Sequence, residues 1–318
     1  MQNDYDEVVR LVNTSSVDIN YQQKDGKTAL MYAISEGNLN IVKVLCENGA
    51  NIELPDNLKN TALMYAIYMN VEIAVYLIMN GADVNVKNKL NETPMHFAGM
   101  CGNLIIIQML YERNAEINVY NINNHSPLIM ACGNKHNKSV KYLIKNNADI
   151  NVRDMFNDNL LHICIQNDNY EILLYLLLNK NNKMLNTTNN NGETPLFLAS
   201  KLNKLEFVTL LLKYGADTNI NSIIYMNESP LYQAVINNNY EMVKILIQYK
   251  ANYNNRLYRH AGLIGIHCSM DDSTKYKDGY ILSESILATA NKRGCYSDVH
   301  TYLSTLDTQL FYDSDYTY

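Results

Sequence analysis

Thr28-Ala-Leu-Met-Tyr-Ala33 is a six-residue stretch that returns letter for letter as Thr61-Ala-Leu-Met-Tyr-Ala66. Looser copies follow along the chain at Thr93-Pro-Met-His-Phe-Ala98, Ser126-Pro-Leu-Ile-Met-Ala131, Asn159-Leu-Leu-His-Ile-Cys164, Thr194-Pro-Leu-Phe-Leu-Ala199 and Ser229-Pro-Leu-Tyr-Gln-Ala234. The starts of successive copies are 33, 32, 33, 33, 35 and 35 residues apart. A nearly constant period of this length is typical of a solenoid, in which each unit is stable only when it stacks on its neighbours.

Each copy fits the start of a short helix. Its Thr or Ser can accept hydrogen bonds from the first helical turn, and a following Pro suits the first helical position. A second apolar pattern, first seen as Ile41-Val-Lys-Val-Leu45, recurs in phase. Each unit then closes with an element such as Gly81-Ala-Asp-Val-Asn85, whose Gly suits the left-handed end of a helix. Each unit is therefore predicted to be a helix-turn-helix followed by an extended finger.

A tight turn is predicted at the tip of each finger, just before the Thr or Ser that opens the next helix. Gly and Asn dominate the turn position, and these residues adopt a positive φ most readily. Lys59 is the exception, so the second finger is the least regular in sequence. The full set is Gly26, Lys59, Asn91, Asn124, Asn157, Gly192 and Asn227.

These units in register resemble the ankyrin-repeat family, and the resemblance covers roughly residues 5 to 255. It implies an all-α repeat solenoid of stacked ankyrin helix-turn-helix units with hairpin-like fingers. In their richness in Asn and Tyr, the units are similar to ankyrin proteins of poxviruses and other large DNA viruses, of intracellular bacteria and of protists. That similarity implies a viral or pathogen factor that sequesters or redirects a host protein.

The ends of the array differ from its middle, as a solenoid with capped ends requires. Capped ends also favour a monomer. The predicted organisation is an N-terminal capping half repeat at 1–20, seven ankyrin repeats at 21–255, an insertion loop at 256–282, a degenerate C-terminal capping repeat at 283–306 and an acidic flexible tail at 307–318.

Composition argues against several classes of function. The net charge is −6 and the pI is about 5.7, whereas nucleic-acid-binding proteins usually have a basic face and a high pI. No apolar run reaches the roughly 18 residues of a membrane-spanning helix, and the acidic N-terminus does not match a signal peptide. The six cysteines include no CxxC pair, which is typical of thiols in a reducing compartment. We therefore expect neither a nucleic-acid nor a membrane partner, and a location in the cytoplasm (of the host cell for a viral protein or effector) or in the nucleus.

Motifs for catalysis do not occur in the sequence. It contains no P-loop, no dinucleotide-binding GxGxxG after a strand, no GxSxG and no HExxH. His96 and His162 stand where other units carry Met, Ile, Phe or Tyr, so both are predicted to be structural. We therefore expect no enzyme activity, no cofactor and no metal.

One alternative stays open in the C-terminal region, around the insertion at 256–282. Cys and His side chains there could bind a metal, although their spacing matches no recognised zinc motif. An enzyme or metal-dependent activity could use His260, His267 and Cys268, with Asp271 or Cys295 as a further ligand.

The resemblance to ankyrin repeats also implies that a protein partner binds a concave face, formed by the finger tips and the ends of the first helices. Many positions of that face hold apolar or aromatic side chains, which mark an interaction site when they are exposed. The predicted partner-binding residues are Leu58, Tyr68, Met69, Leu90, Met100, Ile122, Met155, Phe156, Tyr225 and Met226, with Leu202 and Ile236 at equivalent positions.

Within this set, two adjacent pairs are predicted to be the anchors: Tyr68 with Met69, and Met155 with Phe156. The alternative is that some of these side chains fold inward or are covered by neighbours. Three acidic residues flank the same face and favour a partner with basic groups on its rim, namely Glu92, Asp158 and Glu228.

Overall fold

The structure is a computed structural model, and it describes residues 2–12, 14, 17–179, 182–220, 228–252, 257–260, 280–284 and 298. The chain divides into two compact units, which we name unit 1 (Met1–Met155) and unit 2 (Phe156–Tyr318). In the described residues, pairs of short helices joined by extended fingers make up most of each unit, as predicted for an all-α repeat solenoid.

The first helices of the pairs begin at the repeated Thr, Ser or Asn or just after it. In unit 1 they are α2 (Ala29–Ser35), α4 (Ala62–Met69), α6 (Pro94–Cys101) and α8 (Pro127–Gly133). In unit 2 they are α10 (Leu160–Gln166), α12 (Pro195–Lys201) and α14 (Pro230–Ile236).

The second helices follow after short turns. In unit 1 they are α3 (Leu39–Glu47), α5 (Val71–Met79), α7 (Leu104–Glu112) and α9 (Asn137–Lys145). In unit 2 they are α11 (Tyr170–Leu178), α13 (Leu205–Lys213) and α15 (Tyr240–Gln248), with a short 3-10 turn at Asn182–Met184.

Most helix starts, and the helix ends that carry Gly, follow the predicted chemistry. The side chains of Thr28, Ser126, Thr194 and Ser229 accept hydrogen bonds from backbone nitrogens three residues on. Thr61 departs from this pattern, because its buried Oγ1 has no hydrogen-bond partner among the described residues. At the helix ends, positive φ is found at the predicted glycines, with values of 87°, 86° and 91° at Gly49, Gly81 and Gly215.

Close packing of first helix against first helix forms the core of unit 1. Helices α2, α4, α6 and α8 pack in sequence, and the Ala side chains at their contacts are fully buried, as at Ala66 and Ala98. Helices α6 and α8 approach closely at Gly99, where an added Cβ would lie 2.6 Å from the carbonyl oxygen of Pro127. Any side chain at this position would therefore push α8 away from α6.

One helix precedes the first complete pair in the described residues. This helix, α1 (Gln2–Val12), lies in the segment 1–20 that the sequence predicts as a capping half repeat, and it packs against the second helix α3. The predicted domain boundaries stay predictions.

Two short strands lie in and beside the segment that the sequence predicts as an insertion loop. Strand β1 (Leu257–His260) pairs antiparallel with β2 (Tyr280–Glu284), and Arg259 is opposite Ile281. Sequence patterns did not predict this pairing. Of the described helices, none is both long and apolar enough to cross a membrane.

Candidate functional site

The second finger shows how a tip presents an apolar side chain. The amide nitrogen of Asp56 donates to the carbonyl oxygen of Asn60, and that of Lys59 donates to the carbonyl oxygen of Asp56, both at 2.9 Å. Lys59 has a φ of 62°, the left-handed conformation predicted here. The Asp56 carboxylate also accepts from the amide nitrogens of Leu58 and Asn60, at 2.8 Å and 2.7 Å. These bonds satisfy the polar groups of the turn and leave the Leu58 side chain in solvent.

Backbone hydrogen bonds join successive finger tips of unit 1. The amide nitrogen of Lys89 donates to the carbonyl oxygen of Leu58 at 2.9 Å. The amide nitrogen of Ile122 donates to the carbonyl oxygen of Leu90 at 3.0 Å. Because both bonds use equivalent atoms, the tips lie side by side in a row.

The next finger continues this row, since the amide nitrogen of Met155 donates to the carbonyl oxygen of Asn123 at 3.1 Å. The apolar side chains along the row are exposed by between 46% and 60%. This exposure is large for apolar side chains on adjoining turns. We name the group the tip ridge, and it consists of Leu58, Leu90, Ile122 and Met155.

Side chains of the first helices reach the same fingers. The Tyr65 hydroxyl of α4 donates to Asp56 Oδ2 at 2.7 Å, and burial together with the Asp56 carboxylate raises the pKa of Tyr65. Tyr68 lies one turn further along this side of α4, and both Tyr68 and Met69 are exposed. Met100, at the equivalent position of α6, is only half-buried. The end of α4 therefore adds an exposed aromatic and an exposed thioether beside the tip ridge.

Predicted site residues of unit 2 fall into three groups. Phe156 is an exposed finger-tip side chain, and its carbonyl oxygen accepts from the amide nitrogen of Asn190 at 2.9 Å. Leu202 is exposed beside α12, whereas Ile236 is half-buried. Tyr225 and Met226 lie outside the described residues.

Polar pairs occupy the corresponding helix ends in unit 2. Gln166 Nε2 donates to Asp158 Oδ2 at 2.8 Å, and Lys201 Nζ donates to Glu193 Oε1 at 2.7 Å. The same helix position in unit 1 holds Tyr68 in α4 and Met100 in α6. At this helix position, α4 and α6 of unit 1 therefore differ from α10 and α12 of unit 2, whereas α14 of unit 2 holds the apolar Ile236.

The three flanking carboxylates accept hydrogen bonds within the fold, and their predicted preference for a partner with basic groups stays a prediction. Asp158 is buried and also accepts from Asn189 Nδ2 at 2.8 Å. Glu92 accepts from Asn88 Nδ2 at 3.0 Å. Glu228 accepts from Gln233 Nε2 at 2.5 Å. Of the three residues, only Asp158 is buried, whereas Glu92 and Glu228 are half-buried.

Lysines, by contrast, are exposed along the finger tips of unit 1. Lys59 is itself a left-handed turn residue, and Lys24 and Lys89 each lie two residues before one. Lys87 lies two residues before Lys89. Within the described part of the chain, none of the four is within ion-pairing distance of a carboxylate. The tip ridge is therefore apolar with positive charge beside it.

The two predicted structural histidines link one repeat to the next. His96 is fully buried, and its Nδ1 accepts a hydrogen bond from the amide nitrogen of Thr93 at 3.1 Å. Nε2 therefore carries the proton and donates to the carbonyl oxygen of His125 at 3.0 Å. Burial lowers the pKa of His96. His162 makes the same contacts, with the Asn159 amide and the Glu193 carbonyl.

The described residues contain no cluster of side chains arranged for metal or thiol chemistry. No group of three or more His, Cys, Asp or Glu side chains there could hold a metal ion. Cys46 and Cys101 are half-buried, and burial raises the pKa of Cys46 to about 11. His267, Cys268, Asp271 and Cys295 lie outside the described residues, so the alternative activity around 256–282 stays a prediction.

The family model for ankyrin repeats matches the chain in three copies, over residues 1–88, 70–154 and 155–256. The chain therefore belongs to the ankyrin-repeat family, whose repeats are general protein–protein interaction modules.

Similar proteins come from viruses and from cells. A putative ankyrin repeat protein of fowlpox virus is 30% identical over 98 residues, which is 30% of this chain and 16% of the relative. A putative ankyrin repeat protein of Acanthamoeba polyphaga mimivirus is 41% identical over 85 residues, 27% of this chain and 51% of the relative. A probable 26S proteasome regulatory subunit of Saccharomyces cerevisiae is 36% identical over 93 residues, 28% of this chain and 41% of the relative. Each match thus spans at most about half the length of these relatives.

Proposed function

We propose that this chain is a non-catalytic module that binds a protein partner through the fingers and first-helix ends of unit 1. The observation that carries the proposal is the tip ridge, in which four successive, hydrogen-bonded finger tips each carry an exposed apolar side chain. Exposed apolar side chains that adjoin one another are typical of interaction sites. Tyr68 and Met69 extend the same surface, and aromatic residues are enriched among the energetically dominant contacts of interfaces.

The charges beside the tip ridge narrow the chemistry of the partner. Lys59, Lys87 and Lys89 are exposed, and the nearby Glu92 is held by Asn88 and Asn121. Positive groups beside an apolar row favour a partner segment that presents apolar side chains flanked by carboxylates. The sequence predicts basic groups on the rim of the partner, whereas we propose that the partner's rim is acidic.

The relatives support a place of action for this module. Two of the similar proteins belong to viruses, which supports a viral factor that sequesters or redirects a host protein in the host cytoplasm. The nucleus is the second compartment that the composition allows. We also propose a monomer.

Affinity capture from host-cell lysate, read by quantitative mass spectrometry, tests this proposal. The test variant is Leu58→Asp with Ile122→Asp, whose side chains are 60% and 58% exposed. The matched control is Met79→Asp with Ile105→Asp, which are 63% and 58% exposed on second helices. Both variants add two carboxylates at solvent-exposed positions, so both should keep the wild-type circular dichroism and melting profile.

The proposal expects a protein that wild type and control capture equally and that the finger-tip variant loses. Equal capture by all three proteins would contradict binding through the tip ridge. Loss of capture by the control alone would move the site to the second helices.

A further inference from the structure

The N-terminal side of α2 differs from that of every later first helix in unit 1. Pro127, the first residue of α8, lies against Gly99 of the preceding first helix, α6. Ala62, Pro94 and Pro127, the first residues of α4, α6 and α8, are all buried. Ala29, the first residue of α2, is exposed. The face of α2 that meets a preceding helix in the other repeats is therefore open here.

An open groove of about 600 Å³ lies along this face. Its walls are mostly apolar, with Val8 and Leu11 from α1 and Ala29, Tyr32 and Ala33 from α2. Leu11 and Tyr32, which line the groove, are exposed to solvent. Ile41 and Leu45 of α3 also line the groove, so it lies between the first helix α2 and the second helices α1 and α3.

This is the position that a first helix occupies in the rest of unit 1. Helix α4, for example, packs against both α2 and its own partner α5. In the described residues before α2, the one helix is α1, which packs against α3 as a second helix does. The groove therefore continues an interface that the repeats already use, and that interface accepts a helix with small residues.

The charge of the groove favours one kind of helix. Its ionisable lining groups other than Tyr32 are Asp18 and Glu36, and both are acidic. Glu36 is exposed just beyond the end of α2. A helix that docks here would gain from Lys or Arg at its edges, because opposite charges across an interface steer and orient binding.

We propose that this groove binds an amphipathic helix of a partner protein, with small and apolar residues on the docked side and Lys or Arg along its edges. This site is separate from the tip ridge, so the inference goes beyond the proposed function. An interface with α2 can form because small side chains let helix axes approach closely, as Ala66 and Ala98 do within the stack.

A stapled helical peptide provides a defined probe. It carries Ala and Leu on one side, Lys on both flanks and a fluorescein label, and a matched peptide has Glu at every Lys position. Fluorescence anisotropy with the full chain gives the affinity, and methyl NMR of Ala29 and Ala33 reports the location. Ala131, which is buried in α8, serves as the remote methyl.

Two variants test the walls and the charge. Ala29→Trp fills the groove from an exposed position, and we expect the Lys peptide to bind about tenfold more weakly. Glu36→Lys should weaken it about fivefold, whereas Glu112→Lys, an equal charge change at the exposed end of α7, should leave binding unchanged. The Glu peptide should bind wild type at least about tenfold more weakly than the Lys peptide.

The inference requires saturable binding of the Lys peptide that shifts Ala29 and Ala33 but not Ala131. It is overturned if wild type shows no saturable binding, if both peptides bind equally, or if Ala131 shifts as much as Ala29. Equal binding by wild type and Ala29→Trp also overturns it. If a variant unfolds, the methyl shifts of the wild-type protein still show whether the Lys peptide binds in the groove.

Discussion

The amide nitrogen of Ile122 donates a hydrogen bond to the carbonyl oxygen of Leu90 at 3.0 Å, and both side chains are exposed beside this bond. The backbone of one finger thereby fixes where the next finger places its apolar side chain. Since the bond uses main-chain atoms, side chains at the tips can vary without loss of the row. This separation lets stability come from the backbone and partner choice from the side chains.

Lysines beside the tip ridge should control the salt dependence of partner binding. We expect Lys59→Glu with Lys89→Glu to weaken binding of the captured partner about tenfold, mainly through slower association. The difference should shrink between about 50 mM and about 300 mM salt, because counterions screen exposed charges. Surface plasmon resonance at several salt concentrations measures this.

Exposed lysines of α9 supply the control for that prediction. Lys138→Glu with Lys145→Glu makes the same charge change away from the finger tips. If this control slows association as much as the finger-tip variant, net charge rather than the tip lysines governs binding.

Removing the imidazole of His96 should destabilise unit 1. Met31 and Met64 hold this position in earlier repeats, so His96→Met suits the volume of the site. It leaves the Thr93 amide without its partner, whereas the His125 carbonyl oxygen still accepts from the Asn121 amide, and the cost is about 1–3 kcal/mol in the free energy of unfolding. Urea denaturation measures that cost.

His125→Ala is the matched control for this variant, because His125 takes part through its carbonyl oxygen. We expect it to change the free energy of unfolding by less than about 1 kcal/mol. Equal losses in the two variants would contradict the role given to the His96 ring.

The same histidine should make stability depend on pH. Burial lowers the pKa of His96 from its ordinary value of 6.5, so the unfolded chain binds a proton more readily than the folded chain. The stabilising effect of the neutral ring is therefore fully present above about pH 6.5 and declines as the pH falls from there to the lower folded pKa. Wild type should lose more unfolding free energy than His96→Met between about pH 7.5 and about pH 5.5. Equal losses, measured by urea denaturation, would refute this.

The turn of the second finger offers a stabilising substitution. Lys59 has a φ of 62°, a conformation that strains a residue with a Cβ. Lys59→Gly should raise the free energy of unfolding by about 0.5–1 kcal/mol, after allowing for the larger entropy of Gly in the unfolded chain. Lys89→Gly removes the same side chain from a tip residue without positive φ, and it should not stabilise the protein. A gain in both variants would show that charge, not backbone strain, was relieved.

The turn conformations could be predicted from the sequence because each depends on only a few adjacent residues. Asn91, Asn124 and Asn157 have φ values of 59°, 57° and 62°, as their place in the repeat predicts. Lys59 looked irregular in sequence, yet its turn is the same as the others, since the backbone bonds of Asp56 set the conformation.

The candidate site was less predictable because exposure and charge depend on distant neighbours. Met100 has an apolar side chain at the same position as Tyr68, but it is half-buried while Tyr68 is exposed. The sequence places the Asp158 carboxylate beside the binding face. In the structure it is bonded to Asn189, which lies 31 residues away in the sequence. The groove beside Ala29 is likewise a property of packing, because the sequence of α2 resembles that of α4.

Site-specific photo-crosslinking tests the central claim, binding of a protein partner through the tip ridge, most directly. A benzoylphenylalanine residue replaces Ile122 in one protein and Ile105 in another, two isoleucines that are each 58% exposed. The account predicts that irradiation in host-cell lysate gives a discrete covalent adduct from position 122 and none from position 105, and that Leu58→Asp abolishes it. An adduct from position 105 alone, or one from position 122 that Leu58→Asp leaves unchanged, would contradict the account.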